Sequence, residues 1–451
     1  MTNCKFTKSQ RRIPRARYDA SPGYFDITLA DGIRGEATVT AHTALYRFTF
    51  PPNTTSDGTV NNPVITIDLN DLGNKRSGNG AVAVNPKTGR AAGSGTFRPS
   101  FGTGQYMLHF CVDFKGGEVK DTAIWDRGVP LGNVTRKQFG GHVAGGAYAK
   151  FDLSTSKNEV LARVGLSFMN ASQACRNAET EIPTFDFETV KRSAEIEWEK
   201  KLDVLSIVPG GVDKDLEIIF WSGFYRTMLS PQDYTNENPL WNSSEPYFDS
   251  FYCIWDSFRS QHPFLTLVDP IEQSRMVRAL IDIYAHEGKL PDCRMSLCQG
   301  LTQGGSNADV VLADAFIKNL GGGIDWDLAY EAVVSDAEEE LEAWDYAGRG
   351  GLESWKTLNF IPIHDNDTDG YGLKTRSVSR TVEFAYNDFC IAEMAEKMGY
   401  VDDAAKYFER ARNWQNLFKE DQNSSIKGVD TGFVGFLQPR YVLRLFASLS
   451  S

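Results

Sequence analysis

Between Leu290 and Leu320 the sequence reads LPDCRMSLCQGLTQGGSNADVVLADAFIKNL. An aspartate, two cysteines, a glutamine and a Gly-Gly pair stand directly ahead of a run with almost no polar face. Polar groups crowded into an irregular segment before a buried helix are expected of an active-site loop, because loops held by a rigid scaffold are where chemistry is placed. A second group lies upstream in YCIWDSFRSQHP. Trp255 offers an apolar face of the kind that sugar rings stack on, and Asp256 and Arg259 could hold hydroxyl groups or each other across one helical turn. Asn307 and Asp309 fall in the first turn of the apolar helix, as caps with a secondary role in lining a pocket. Glu383 interrupts an otherwise apolar face, so it must be paired or neutralised, and Arg380 one turn away is the expected partner. His262 before Pro263 reads as structural, and the six histidines form no cluster suited to a transition metal.

These residues need elements to hold them. Through about residue 180 the hydrophobic pattern has period two. In YFDITLADG, Phe25, Ile27 and Leu29 are expected to face a core and Asp26 and Thr28 to face away. Tyr46, Phe48 and Phe50 repeat the pattern against Arg47 and Thr49, as do Val164, Leu166 and Phe168 further on. Many short alternating strands separated by Gly-rich turns predict a large antiparallel β-sandwich. From about Phe187 a charged segment reads as a linker helix. Beyond it come helices, with no further strand evident. Asp269, Pro270 and Glu272 signal a helix start, followed by the stripe Val277, Leu280, Ile281, Tyr284. Ser306 and Asp309 are expected to form a capping box for the helix carrying Val310, Val311, Leu312, Ala315, Phe316 and Ile317, which Gly321 ends. A helix hairpin turning at Gly399 carries the stripes Val382, Ala385, Tyr386, Phe389 and Val401, Ala404, Ala405, Phe408, Ala411. Paired helices of this kind predict an α/α toroid. From residue 214 there are roughly seven or eight helices where a ring of six hairpins needs about twelve, so the ring is expected to be incomplete. The expected domains are a β-sandwich over residues 1–182, a linker helix over 183–210 and the partial toroid over 211–451.

The bulk composition agrees with a two-domain folded chain. At 451 residues it is too long for one ordinary core, and it is 41% hydrophobic and 24% charged. A formal net charge of -12 without a basic stripe argues against nucleic acid and anionic membrane as partners. No window approaches the roughly 20 apolar residues of a membrane span. The start, MTNCKFTKSQRRIPRARYD, is basic but lacks the apolar core of a signal peptide. Seven cysteines are too few for a disulfide scaffold and fit no zinc spacing; Cys293 and Cys298 could pair or remain reduced. Six Asn-x-Ser/Thr triplets, at Asn53, Asn133, Asn170, Asn242, Asn366 and Asn423, hint at a secretory lineage.

An alternating β domain followed by SFYCIWDSFRSQHPFLTLVDP, LPDCRMSLCQGLTQGGSNADVVLADAF and SRTVEFAYNDF, in that order, resembles glycoside hydrolase family 92, especially its fungal members. The resemblance implies a calcium-dependent, exo-acting, inverting α-mannosidase that trims terminal mannose from N-glycans or mannans. It also implies secretion, although with no signal peptide here a cytosolic site stays open, and a monomer is expected. It places the catalytic-base aspartates and the metal-coordinating Glu and Asn beyond the last residue of this chain, so the chain is expected to be short at both ends. In much of the family the general acid is a Glu in the loop between the Leu-Pro pair and Ala-Asp-Ala. Aligned from Leu290 and Pro291 to Ala313, Asp314 and Ala315, that Glu falls on Gln299, which cannot donate a proton as a general acid. Three consequences are open. The leaving group is a phosphate, making the substrate a mannosyl phosphodiester; or Asp292 or Glu287 supplies the proton; or the chain is an inactive fragment that at most binds carbohydrate.

Overall fold

The computed structural model describes residues 14–51, 63–70, 77–100, 102–153, 158–208, 210–302, 304–365, 376–442 and 446. The basic N-terminal stretch through residue 13 and the triplets at Asn53 and Asn366 lie outside them. The chain forms two compact units, one of residues 1–99, 105–225 and 237–239, the other of residues 100–104, 226–236 and 240–451.

The first unit carries strands β1 (Arg15–Ser21), β2 (Tyr24–Leu29), β3 (Arg34–Val39), β4 (Thr43–Thr49), β5 (Val64–Asp68), β6 (Ser77–Val84), β7 (Ala91–Phe97), β8 (Tyr106–Lys115), β9 (Glu118–Asp126), β10 (Val129–Leu131), β11 (Arg136–Phe139), β12 (Gly145–Asp152) and β13 (Glu159–Ser167). They pair as a nine-stranded sheet, β1-β2-β3-β4-β13-β8-β7-β6-β11, and a four-stranded sheet, β10-β9-β12-β5. The antiparallel expectation holds. Val82, Val84, Phe110 and Val112 of the large sheet share a core with Ile124 and Ala147 of the small one.

The other face of the large sheet is covered by helices α1 (Ala171–Glu181) and α2 (Phe187–Leu202), with α3 (Lys214–Thr227) following. Leu45, Ile182 and Phe187 form a core there. A methyl group on Gly165 would stand 2.1 Å from the Ala174 carbonyl, so β13 admits α1 only because that position has no side chain. Cys111 of β8 is disulfide-bonded to Cys175 of α1. Coverage of both faces explains where simple alternation fails. Phe25 is 42% exposed while Asp26 is 8% exposed, the reverse of the expected facing. Asp26 sits opposite Glu36, and Glu36 opposite Arg47, on strands against which α2 packs. Arg34 and Arg47 satisfy the two carboxylates, and Glu188 of α2 joins Arg47. Leu166 likewise points outward at 40% exposure, whereas Val160 and Ala162 are buried.

The second unit holds β14 (Gln232–Asp233), β15 (Phe248–Asp249), β16 (Tyr252–Cys253), α4 (Ile254–Ser257), α5 (Gln261–Val268), α6 (Pro270–Glu287), β17 (Cys293–Met295), β18 (Cys298–Gln299), α7 (Ala308–Ile317), α8 (Trp326–Glu338), α9 (Leu352–Leu358), α10 (Ser377–Met398), α11 (Val401–Arg410), β19 (Phe418–Ile426) and β20 (Val429–Leu437). The short strands and the β19–β20 hairpin correct the expectation of helices alone. Helix α6 begins as expected, with the Asp269 side chain accepting from the Glu272 amide and Pro270 in the first turn. Val277, Leu280 and Ile281 of α6, Val311 and Leu312 of α7, Val333 of α8 and Ile391 of α10 meet in one core. Burial of each such side chain stabilises by about 1.5–3 kcal/mol.

Gly399 turns the α10–α11 hairpin with φ 85°. The expected stripe on α10 is displaced, however. Tyr386 and Phe389 are 44% and 42% exposed, and Thr381, Phe384, Asn387, Asp388 and Ile391 form the buried face. Asn387 and Asp388 turn inward because Asp388 is held there by Arg349 and Trp355.

Candidate functional site

Strands β16, β17 and β18 form a small antiparallel sheet that places the chemically interesting loop. Tyr252 pairs with Arg294 and Cys253 with Cys293, then Arg294 pairs with Gln299 and Met295 with Cys298. Ser296 and Leu297 connect β17 to β18 with φ 50° and 66°. A two-residue turn with both φ values positive normally calls for Asn-Gly. Here buried groups hold it instead: Ser296 N–H donates to Ser250 Oγ at 3.2 Å, and Leu297 N–H to Asp249 Oδ1 at 3.0 Å.

Asp249 also accepts from Arg294 Nε at 2.8 Å and from the Tyr247 hydroxyl at 2.9 Å. Arg294, fully buried, donates from Nη1 to Glu287 Oε2 at 2.8 Å. Gln299 Nε2 donates to the same Glu287 oxygen at 3.1 Å. Gln299, at the general-acid position by resemblance, and Glu287, one of the two possible substitute acids, are therefore in direct contact. They line a cavity of about 80 Å³ with Lys289 and Tyr346. Gly102, Thr103 and Gly104, between β7 and β8, lie against the loop. The Thr103 amide donates to the Gln299 carbonyl at 3.1 Å, and a methyl on Gly102 would stand 2.9 Å from that oxygen.

Asp292 is elsewhere. It is 2% exposed, and its Oδ1 accepts from the Trp255 amide at 3.1 Å and from Asn307 Nδ2 at 3.5 Å. It thus caps the α4 turn from a neighbouring strand, alongside the Asp292 carbonyl that accepts from the Ile254 amide at 2.8 Å. Cys253 and Cys293, the residues flanking these groups, are disulfide-bonded. Cys293 therefore pairs with Cys253 and not with Cys298, which is a buried free thiol whose pKa burial pushes up. The cross-strand position of Cys253 made that pairing available, whereas Cys298 faces Met295.

Trp255, Arg259, Asn307 and Glu383 form a second group. Arg259 lies with its Cζ 5.2 Å from the Trp255 ring centre and donates from Nη2 to Glu383 Oε1 at 2.7 Å. The Glu383 partner is thus Arg259 and not Arg380, which stands 3.6 Å from Asp365. Asp256 is exposed. Gly304 and Gly305 lie against this group: a methyl on Gly304 would stand 3.0 Å from Trp255 Nε1, and one on Gly305 2.8 Å from Asn387 Oδ1. Asn307 Oδ1, Trp255 Nε1 and both amide atoms of Asn387 are buried with no hydrogen-bond partner among the described residues. Unpaired buried polar atoms are costly, and a hydroxyl-rich ligand would satisfy several together. A neighbouring cavity of about 170 Å³ is lined by Thr302, Gly304, Trp344, Asp345, Arg376 and Phe384 among others.

Under the loop is an ionic cluster that sequence reasoning missed. Arg349 donates to Asp309 of α7 at 2.7 Å, to Asp388 of α10, and to Ser306 Oγ at 2.9 Å, and Ser306 donates to Asp309 at 2.6 Å. Asp309 is therefore an ion-pair partner and not half of a capping box; Asn307 is the residue at the helix start, without a side-chain cap. Asp336 of α8 is also fully buried, with Lys289 Nζ 4.0 Å away. Burial pushes Asp309 and Asp388 above the usual carboxylate range despite Arg349, and Asp336 well above it. An Asp inside the apolar run of α10 was the available signal. His262 is buried against Gln273 at 3.1 Å, and burial lowers its pKa.

Two family models together cover most of the chain. Residues 173–448 match the glycosyl hydrolase family 92 catalytic domain, and residues 1–167 the family 92 N-terminal domain. The chain is 48% identical over 455 residues to a protein of Arthroderma benhamiae named uncharacterized secreted glycosidase, covering 98% of this chain and 55% of that protein. A family GH92 inverting mannosidase from Bacteroides thetaiotaomicron superposes with a TM-score of 0.82 at 22% identity, covering 98% of this chain and 56% of the other. A GH92 α-mannosidase of the same bacterium, in complex with mannoimidazole, gives 0.79 at 21% identity over 98% and 54%. At such identities the solved structures show the fold. The chain spans about half the length of the relatives it matches.

Proposed function

Since the chain belongs to glycosyl hydrolase family 92, we propose that it takes part in hydrolysis of terminal α-mannosyl groups, exo-acting and with inversion, on N-glycans or mannans. The group of Trp255, Arg259, Asn307, Glu383 and Asn387 carries this reading: an aromatic face beside buried donors and acceptors that lack partners is suited to a sugar. The names of the solved relatives, mannosidases of which one is in complex with mannoimidazole, support mannose as the sugar.

An inverting glycosidase uses one carboxylic acid to protonate the departing oxygen and one carboxylate to activate water. Gln299 occupies the acid position by family resemblance and can only donate an amide hydrogen bond there. Its contact with Glu287 favours a second reading. Glu287 Oε2 is already engaged by Arg294 and Gln299 together. Asp292 is occupied as a cap. A phosphate departs as a stable anion and needs little protonation, so a mannosyl phosphodiester is the substrate that this pair of residues suits best. The remaining reading is a carbohydrate-binding chain without turnover.

Calcium, implied by the resemblance, takes six to eight oxygen ligands. Among the described residues no group of three or more His, Cys, Asp or Glu side chains is placed to hold a metal ion. Asp309 and Asp388 are taken by Arg349, Glu287 by Arg294 and Glu383 by Arg259. These residues do not fit the ion, and no step is assigned to it. No helix among the described residues is long and apolar enough to cross a membrane; secretion and a monomeric state are part of the proposal.

The deciding experiment is mannose release from an α-1,2-mannobiose and from a mannosyl phosphodiester, with and without a chelator. It compares this chain, a chain extended at both ends, and the Gln299→Glu variant of the extended form. Release from the phosphodiester that falls in Gln299→Glu, with release from the mannobiose rising, is expected. No release from either substrate by either length would sink the hydrolase reading and leave carbohydrate binding.

A further inference from the structure

Four of the six Asn-x-Ser/Thr triplets lie in described residues, at Asn133, Asn170, Asn242 and Asn423, and all four asparagines are exposed. They are not equivalent. Asn170 caps α1, its side-chain oxygen accepting from the Gln173 amide at 2.8 Å. Asn242 precedes Ser243, whose hydroxyl is held by Asp282 at 2.8 Å. Asn423 lies inside β19, paired with Val434. Asn133 instead stands in the turn between β10 and β11 with φ 59°, a conformation that Asn tolerates better than most residues. Asn133, Val134 and Thr135 are all exposed, and neither the Asn133 nor the Thr135 side chain makes a hydrogen bond among the described residues. Thr135 is the sole threonine at the third triplet position among the four, and its carbonyl, which accepts from the Val84 amide at 2.9 Å, fixes the turn to the sheet.

Two further observations point the same way. The chain holds two disulfides, Cys111–Cys175 and Cys253–Cys293. Such bonds persist in oxidising compartments of the secretory route, where N-glycans are attached. Beside the turn, Val129 and Val134 are 59% and 36% exposed, an apolar surface that a hydrophilic chain would shield.

We propose that Asn133 is an N-glycan attachment site. The co-reactant is an oligosaccharide carried on a polyisoprenyl diphosphate. Asn133 Nδ2 loses a proton and bonds to the anomeric carbon, the bond from that carbon to the diphosphate oxygen breaks, and the diphosphate leaves with its electron pair. Nothing is oxidised or reduced. The Thr135 hydroxyl is the group by which the transfer machinery recognises the triplet. No described residue covers the turn, so the glycan extends into solvent and adds bulk and solubility without displacing a contact.

The test uses the full chain, sent with a leader through the secretory route of a eukaryotic host. Peptide N-glycosidase treatment in heavy-oxygen water converts a glycosylated Asn to a labelled Asp, which peptide mapping locates. The Asn133 peptide is expected to carry the label, to lose it in Thr135→Ala and to keep it in Thr135→Ser, while Asn133→Gln removes one gel-mobility step. An unlabelled Asn133 peptide from the unsubstituted secreted chain overturns the proposal. So does label that survives Thr135→Ala, because it then arises from spontaneous deamidation. Mapping the unsubstituted chain decides the matter even where a variant is not secreted.

Discussion

The two units bury acidic side chains against arginine with opposite results. In the β unit, Asp26 and Glu36 are 8% and 2% exposed, and both carboxyl groups are held below the ordinary range. The Arg34 hydrogen bond is the main cause for Asp26; for Glu36, burial acts upward and is outweighed by Arg47 and Tyr24. In the helical unit, Asp309, Asp336 and Asp388 are 0% exposed, and all three are pushed up, burial being the main cause. The difference is one of stoichiometry and water. Two acids on the sheet face two arginines, one of which keeps 43% of its side chain in solvent. Three buried aspartates share Arg349 and Lys289, both nearly or fully enclosed. Where cations suffice and water reaches them, the charged form wins; where they do not, burial wins.

Arg349→Met is the strongest way to break that comparison. It strips Asp309 and Asp388 of their cation in a fully buried site, and the expected loss is about 3–5 kcal/mol of unfolding free energy. The triple variant Arg349→Met, Asp309→Asn, Asp388→Asn should recover most of it, because the uncompensated charges go with the arginine. A loss below about 1 kcal/mol by denaturant titration would mean that the cluster is held by packing alone. Arg47→Met, the corresponding change on the sheet, should cost less, about 2 kcal/mol, since Arg47 is partly solvated and Arg34 still faces the acids. Equal costs for the two would erase the distinction drawn between the units.

Asp336→Asn tests the sign. A carboxyl whose folded pKa is raised contributes stability that is complete below the ordinary carboxylate range and is lost as pH rises through the raised value. The groups facing Asp336 are Lys289 and the Leu290 amide after α6, Asp309 on α7 and Arg349 before α9. Protection of the α8 amides against hydrogen exchange should therefore weaken as pH rises above the ordinary carboxylate range in the native sequence and change less in Asp336→Asn. The variant should be more stable by about 1 kcal/mol at the upper end. Protection in the native sequence that does not weaken as pH rises, matching Asp336→Asn, would show Asp336 ionised throughout.

The same cluster marks how far the sequence could be read. Alternation gave the antiparallel sheets, and the start of α6 at Asp269 and Pro270 was plain, because both are local signals. The facings of Phe25, Leu166, Tyr386 and Phe389 were misjudged because apolar residues were taken to point inward, and that rule fails where Asp26 or Asp388 finds a cation from another element. Arg34 is eight residues from Asp26, and Arg349 is thirty-nine from Asp388, so no window shows the pair. Of the candidate residues, Trp255, Arg259 and Asn307 gather beside Glu383, whereas Asp256 is exposed. Which carboxylate takes which arginine was not legible, since those partners sit on elements far apart in sequence, and neither was the Cys253–Cys293 pairing, which depends on a three-stranded sheet that no hydrophobic period announces.

Glu338→Gln sharpens the comparison within a single helix. Glu338 is two residues from Asp336 on α8, yet its pKa falls to about 2 where that of Asp336 rises. Burial acts upward on Glu338 too, but Lys356 at 2.8 Å, Arg410 at 2.6 Å and Lys406 at 3.4 Å outweigh it, and 26% of the side chain remains exposed. If cation supply and solvent decide the sign, the unit to which a residue belongs is irrelevant. A depressed folded pKa gives stability that is complete above the ordinary value of 4.5 and is lost as pH falls through about 2. Because the cations are partly solvated, the total is small, below about 1 kcal/mol. Glu338→Gln should thus lower stability slightly at neutral pH, and by nearly the same amount at about pH 4, where an ordinary glutamate is already half protonated. A difference that halves between neutral pH and pH 4 would place the folded pKa near its ordinary value and reduce the three ion pairs to surface contacts.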